Sequence, residues 1–490
     1  MQSSRQSFVR RMLLLCLSSG LLLSACASPA APINPTNTPA SRVAPLESPT
    51  VPVEATQPPD DTPAQPTPLP TPLPYLPETP VWGIETYYLG PDPSLDLVKE
   101  SGAFWVRRNA LLWSEVEPEQ GARNWQALSG LELELQNAAA EGLQVILVVR
   151  STPAWAQSLD GSFCSPPKPE SLAAFGNFLR DAVARYSLPP YNVQYWEIGN
   201  EPDVAAGLVA TDSPFGCWGL AGDPYYGGAS YAAILKAVYP SIKLANPQAQ
   251  VLVGGLLLDC DPRTPPEIPA GSGNIKDCTP ARFLEGALQS GAGDFFDGIS
   301  FHAYDYYAGQ FGVYNNANWA SASDTTGPVL IAKTNYLRQL LEQYGVPGKA
   351  LYNTEAALLC GRDGSEPECL GTDFERTKAI FLAEAYAAAI AERLDANIWY
   401  SLTGWRASGL LDGGMEPNLA YLAFQTSVAQ LKGAAFIGPL SDFPGIKGYI
   451  FEKDGASLWI AWAPDGIART LQLDQAPLQV VDLTGGELEP

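Results

Sequence analysis

Histidine is nearly missing from this chain: His302 is the only one in 490 residues. One imidazole cannot make an HExxH site or any zinc centre with paired His ligands, and no CxxC spacing offers thiolates instead. Cations are scarce too, with 29 Lys and Arg against 52 Asp and Glu and a formal net charge of −23. A surface of that sign repels phosphate backbones and anionic headgroups. That removes nucleic acid as a partner and an anionic membrane as a docking surface for the folded body. There is no P-loop and no GxGxxG, so no metal, nucleotide or other cofactor is expected. The longest apolar run, Met12 to Leu23, has about 12 residues against the ~20 that a spanning helix needs.

That run follows Arg5, Arg10 and Arg11 and ends in Leu23-Ser24-Ala25-Cys26. A basic start, a short apolar stretch and small residues at the exit make an export signal. The last four residues resemble a bacterial lipobox, whose Cys is acylated and becomes the new N-terminus. Residues 1–26 are therefore expected to be a lipoprotein leader, and the exported chain to be held at the cell surface by lipid on Cys26. From 27 to about 80 Pro, Thr, Ser and Ala dominate, as in PTPLPTPLP. This composition cannot bury enough surface to fold and predicts a polyproline-like stalk, whose upper reach at ~3.1 Å per residue is on the order of 160 Å.

Apart from Cys16 and Cys26, six cysteines remain, an even number for an oxidising compartment, so disulfides are expected. Six thiols allow 15 pairings. Position along the chain suggests one of them: Cys360 with Cys369 and Cys260 with Cys278 bracket short loops, while Cys164 and Cys217 would lie on successive loops.

After Val81 short apolar runs alternate with helical patterns, as in a parallel α/β fold. Eight strands are expected at 81–86, 104–110, 143–149, 193–199, 251–256, 298–304, 350–355 and 396–402. Helices are clearest at 128–142, 169–187, 231–245, 377–394 and 418–433. Eight such units favour a closed (β/α)8 barrel over residues 81–433. From 434 to 490 strict alternation with Asp454-Gly455 and Asp465-Gly466 turns predicts antiparallel hairpins and a small β-sandwich-like appendage. With about four strands it is incomplete, unless residues near 75–80 lend another.

Active groups of such barrels sit at the C-terminal ends of the strands. Two glutamates stand out there: Glu201, which ends VQYWEIGNEPD, and Glu355, which ends ALYNTEAALL. An ionised carboxylate in such apolar company is costly unless it has a task or a partner. Barrel closure would bring strands four and seven to one mouth, and two carboxylates across a cleft are what glycosidic hydrolysis uses.

WEIGNEPD together with a Glu on strand seven resembles clan A of the glycoside hydrolases. WSEVEPEQG after strand two, STPAWA after strand three and FDGISFHAY on strand six are closest in texture to glycoside hydrolase family 39. The resemblance spans roughly residues 80–435. It implies retaining double displacement with Glu355 as nucleophile and Glu201 as general acid/base. By position it also implies that Arg108, with Arg107 as fallback, holds the nucleophile ionised. Asn200 would bond the sugar 2-OH, and His302 and Tyr304, on one face of strand six, would orient the catalytic pair. Trp399 or Tyr400 would floor the −1 subsite, with the register between them open. Trp155, Trp218, Tyr306, Tyr307 and Trp405 are further candidates for sugar contact or for core packing. Several clan relatives carry a His at the end of strand three, where this chain has Arg150.

The expected function is hydrolysis of extracellular β-linked poly- or oligosaccharide by a monomer whose only membrane contact is the lipid. A transglycosylase using the same intermediate and a non-catalytic glycan-binding lipoprotein are the alternatives. Sugar choice and cleavage mode would rest with the loops at 203–230, 259–280 and 305–328.

Overall fold

A computed structural model describes residues 75–90, 93–319 and 327–489. The leader, the lipobox and the stalk up to residue 74 lie outside the described residues. No helix among those described is long and apolar enough to cross a membrane.

Eight parallel strands close into a barrel: β1 (Trp82–Glu85), β2 (Trp105–Leu112), β3 (Gln144–Arg150), β4 (Tyr195–Asn200), β5 (Gln250–Leu256), β6 (Gly298–Tyr307), β8 (Ala350–Leu359) and β9 (Ala396–Trp399). Each pairs with the next in chain order, β6 with β8, and β9 returns to β1. The short β7 (Tyr314–Asn315) runs antiparallel on the extension of β6. The helices are α1 (Pro93–Ser101), α2 (Trp113–Val116), α3 (Ser129–Ala140), α4 (Leu172–Tyr186), α5 (Gly228–Ala245), α6 (Phe283–Gln289), α7 (Leu330–Gln343), α8 (Thr372–Ala391) and α9 (Leu419–Leu431). All eight expected strands form. The boundaries shift by a few residues: β6 and β8 run on past the expected 304 and 355, α5 and α8 begin before the expected 231 and 377, and other helices lose a few terminal residues.

Strand side chains alternate between barrel interior and helix layer. The interior floor is Trp105, Ile146, Leu252, Tyr352, Ala396 and Ile398, with Tyr195 against it. Trp105 fills the centre, its ring edge-on to Tyr195 at 4.7 Å and to Tyr352 at 6.1 Å, and its Nε1 donates to the Pro80 carbonyl. One inward position further up, β2 and β4 turn polar with Arg107 and Glu197, and there the site begins.

Helix α8 is buried along nearly its whole length. Its Ala-rich sequence lacks a polar face because it lies between the barrel and a C-terminal antiparallel sheet of β10 (Ala435–Pro439), β11 (Lys447–Lys453) and β12 (Ala456–Trp462). The Asp454-Gly455 turn forms as expected, both residues at positive φ, 52° and 78°. Asp465-Gly466 does not seed a second hairpin: Asp465 instead accepts from Ile467 N–H and pairs with Arg469, which closes a local turn. A separate two-stranded pair, β13 (Val480–Val481) with β14 (Glu487–Leu488), follows. Tyr75 lends the sheet one antiparallel bridge to Phe436. The layer backing the sheet is thus α8, where a sandwich would have a second sheet.

Trp105→Ala should cost about 3–5 kcal/mol, because the void opens where three strands converge and the neighbouring rings cannot collapse into it. Urea denaturation of the two proteins checks this. A loss under about 1 kcal/mol would mean that Trp105 does not hold the barrel together.

Candidate active site

The polar tier above the floor is organised by Arg107, next after Trp105 on the inward face of β2. Its guanidinium is fully buried and meets three carboxylates. Nη1 donates to Glu85 at 2.7 Å and to Glu355 at 2.5 Å, and Nη2 donates to Glu197 at 2.6 Å. Nη2 also donates to Asn200 Oδ1 at 2.8 Å. Since arginine only donates, the Asn200 oxygen must face it, and the amide N–H2 points elsewhere.

Arg108, the residue expected to hold the nucleophile, does not reach Glu355. It is one residue out of phase, faces the helix layer, bonds the Thr86 carbonyl at 2.6 Å and pairs with Glu134 of α3 at 2.7 Å. Arg107 occupies the expected place. Glu85 and Glu197 were not singled out in the sequence. The signal for Glu197 was its even spacing from Glu201 on one strand, both facing inward.

Glu355 faces the mouth because β8 carries an extra residue at Thr354: Phe301 pairs Asn353, then His302 pairs Glu355. The bulge turns Glu355 to the face of Tyr352. Its Oε2 accepts from the Tyr304 hydroxyl and lies 3.4 Å from His302 Nδ1. Glu201, at φ +47°, donates its N–H to the Gly255 carbonyl at 2.9 Å, and its Oε1 lies 2.8 Å from His302 Nδ1. Glu201, His302 and Glu355 each present an atom within 4.8 Å of the others.

The two carboxyls are unequal. Burial drives Glu201 well above the usual carboxylate range, and the negative charges of Glu355 and Asp203 push it further. Burial also raises Glu355, to about 8, but Arg107 and the Tyr304 hydroxyl work against the rise. The proton that the pair retains belongs on Glu201. His302 is neutral, held well below its ordinary value first by burial and then by Arg107 and Lys333. Gly255 leaves it room: a Cβ there would lie 2.2 Å from His302 Nε2.

Behind His302, Lys333 of α7 donates to the His302 carbonyl at 2.7 Å and to the Leu257 carbonyl at 2.8 Å. Asp203 accepts the Leu257 and Leu258 amides at 2.8 and 2.9 Å. These bonds fix the ends of β5 and β6.

Among the aromatic candidates, Tyr400 faces the mouth, its ring 6.2 Å from Tyr304 and its hydroxyl 2.7 Å from that of Tyr87. Trp399 faces outward, fully buried against Phe381. Trp405, half exposed, stands 6.5 Å from Tyr400, and Arg406 bridges it to Tyr306. Tyr306, Tyr87, Tyr400 and Trp405 thus form one rim. Tyr307 packs on Phe374, Trp155 on Trp113 and Trp218 on Tyr231, so these three serve mainly as packing. The three disulfides pair Cys164 with Cys217, Cys260 with Cys278 and Cys360 with Cys369, all on loops beyond strand ends.

Other buried carboxyls are raised as well, chiefly by burial: Asp203 to about 6, Asp305 to about 7 and Glu384 to about 8. Their unfolded values lie near 4. Between those limits the folded chain binds more protons than the unfolded one, so stability is fully present below about pH 4 from these groups and is lost as pH rises through 6–8. Lys333, lowered to about 8 by burial, opposes this trend only above that pH. Melting temperature should therefore be higher near pH 5 than near pH 8, by on the order of 5 °C. A flat or rising trend in scanning calorimetry across that range would contradict the assignment.

No protein-family model matches the chain, and no curated protein matches it in sequence. Solved structures do match. A family 39 glycoside hydrolase from the gut symbiont Bacteroides cellulosilyticus WH2 is similar at TM-score 0.60 and 21% identity, over 84% of this chain and 77% of that one. A glycoside hydrolase family 30 subfamily 8 xylanase from Clostridium acetobutylicum matches at TM-score 0.51 and 15% identity, over 79% and 82%. A GH30 endoxylanase from Clostridium papyrosolvens C71 matches at TM-score 0.51 and 12% identity, again over 79% and 82%. The chain has the (β/α)8 barrel fold of these glycoside hydrolases.

Proposed function

We propose that the chain is a retaining glycoside hydrolase acting on β-linked poly- or oligosaccharide outside the cell. The observation that carries this reading is the closeness of Glu201 and Glu355, whose oxygens and the His302 nitrogen lie within 4.8 Å of one another at the barrel mouth. Retaining enzymes keep their carboxyls ~5–5.5 Å apart, while inverting ones need ~6.5–9.5 Å for an intervening water.

Glu355, held by Arg107 and Tyr304, attacks the anomeric carbon as the anion. Glu201 gives its proton to the departing oxygen, and the C1–O bond breaks as the Glu355–C1 bond forms. Water, deprotonated by Glu201, then displaces Glu355 and restores both groups. The free amide N–H2 of Asn200 suits the sugar 2-OH, and the Tyr400–Trp405 rim suits the apolar faces of neighbouring sugars.

Wild type should turn over aryl β-glycosides, and the first product seen by proton NMR should keep the substrate's anomeric configuration. Glu355→Ala should abolish turnover. Glu201→Ala should lower kcat/KM by roughly 10²–10⁴ and remove the alkaline limb of the pH profile. Inversion, or full activity in Glu355→Ala, would sink the mechanism.

The lipobox and stalk suit a catalytic body tethered to the bacterial membrane by lipid on Cys26 and held away from it. Cys26→Ser should shift the chain from the membrane fraction to the soluble exported fraction; unchanged fractionation would refute the anchor.

A further inference from the structure

Arg150 ends β3, two places above Val148 and four above Ile146 on the inward face. Its Nε donates to Asn109 Oδ1 at 2.6 Å and its Nη2 to the Asn109 carbonyl at 3.2 Å. Nη1 is buried and has no partner. Both Asn109 acceptors are neutral, and among the described residues no carboxylate lies within ion-pair distance of this guanidinium. The contrast with its neighbours is plain: Arg107 has three carboxylates and Arg108 has Glu134. The Phe163 ring lies 5.2 Å away, and Glu115 and Glu85 act on the charge only from beyond ion-pair distance.

Arg150 lines a narrow recess together with Asn200, Phe163, Phe215 and Trp218. Its walls come from two loops, those after β3 and β4. They are joined by the Cys164–Cys217 disulfide and by Trp218 Nε1 donating to the Cys164 carbonyl at 2.9 Å. The recess has room for about one water-sized group, so a carboxylate would enter it by one oxygen while its sugar ring stays outside. Asn200 ties the recess to the catalytic centre, since its oxygen is bound to Arg107.

A buried cation without a counter-ion is expensive, and burial together with the nearby positive Arg107 lowers Arg150 to about 10. A carboxylate entering the recess would relieve this cost and accept from Nη1. A neutral hydroxyl would satisfy the hydrogen bond but leave the charge.

Resting on the hydrolase reading, we propose that Arg150 is a specificity-determining residue which recognises an acidic substituent, a carboxylate such as that of a uronic acid, on the sugar bound beside Asn200. The substrate class is then an acidic polysaccharide, despite the negative charge of the chain as a whole.

The test compares uronic-acid-containing oligosaccharides with the same oligosaccharides after carboxyl reduction, which keeps the ring and removes the charge. Binding to the full chain is measured by calorimetry, and kcat/KM is measured in parallel. The expected result is a preference for the acidic member of roughly ten- to a hundred-fold, weakened by salt. Arg150→Gln should bring the ratio close to one, mainly through KM, and Arg150→Lys should keep part of it. The ratio does not depend on overall activity, and Arg150→Lys serves if Arg150→Gln folds poorly. Equal binding of both members to wild type, or an unchanged ratio in Arg150→Gln, overturns the proposal. Absence of any turnover with the acidic preference intact in binding would instead count against the hydrolase reading alone.

Discussion

A single guanidinium holds the upper tier of this barrel together. Arg107 stands in contact with Glu85, Glu197 and Glu355, all buried, and four strands contribute to the cluster. Three carboxylates around one cation would be untenable in a dry interior if all were ionised. Glu85 shows the strain as a pKa raised by burial against the pull of Arg107. The arrangement is held by the floor of Trp105, Tyr195 and Tyr352 rings and by the closed hydrogen-bond ladder, which fix the strands that carry the charges. Electrostatics here is a consequence of packing, and it sets the chemistry in turn. A surplus of negative charge and burial raise the carboxyls together, and most where no cation or hydroxyl donates.

That asymmetry separates the two glutamates. Glu355 receives Arg107 and Tyr304; Glu201 is bonded by the neutral His302, and burial and two further carboxyls outweigh the more distant Arg107 and Lys333. Two side chains of one type are thus pushed towards opposite roles by their surroundings. Lys333 and Asp203 do not touch either carboxyl. They tie the backbone of β5 and β6 and so keep His302 in its glycine-lined slot.

Much of this was legible in the residues. Eight apolar runs alternating with helical stretches gave the barrel, and strand-end position marked Glu201, Glu355, His302 and Tyr304. What failed was phase. A strand shifted by one residue exchanges its two faces, and neighbouring candidates of the same chemistry cannot be told apart without an anchor. Arg107 against Arg108, and Tyr400 against Trp399, are both such cases. The structure provides the anchors: Trp105 and Ile398 sit in the barrel floor, so Arg107 and Tyr400 face inward two residues on. Glu355 was found although its strand breaks the alternation with a bulge, because its mark was the strand end and not the period. The Asp465-Gly466 turn shows the opposite limit. Its local chemistry makes the turn, but a hairpin also needs a following strand with a face to bury, and residues 467–473 find none.

The chain carries three disulfides, and each closes a loop beyond a strand end at the mouth side: after β3 and β4, after β5, and after β8. Such loops contribute little to the core and would be free to sample many shapes. A cross-link limits those shapes before any ligand arrives, so that ordering need not be paid at binding. The Cys164–Cys217 link is the clearest instance, for the walls around Arg150 come from the two loops it joins. A buried charge without a direct counter-ion stays put only where its surroundings cannot relax towards water or swing a carboxylate in. The rigid loops and the buried guanidinium therefore belong to one arrangement: the barrel positions the two carboxyls, and the stapled loops hold the recess beside them.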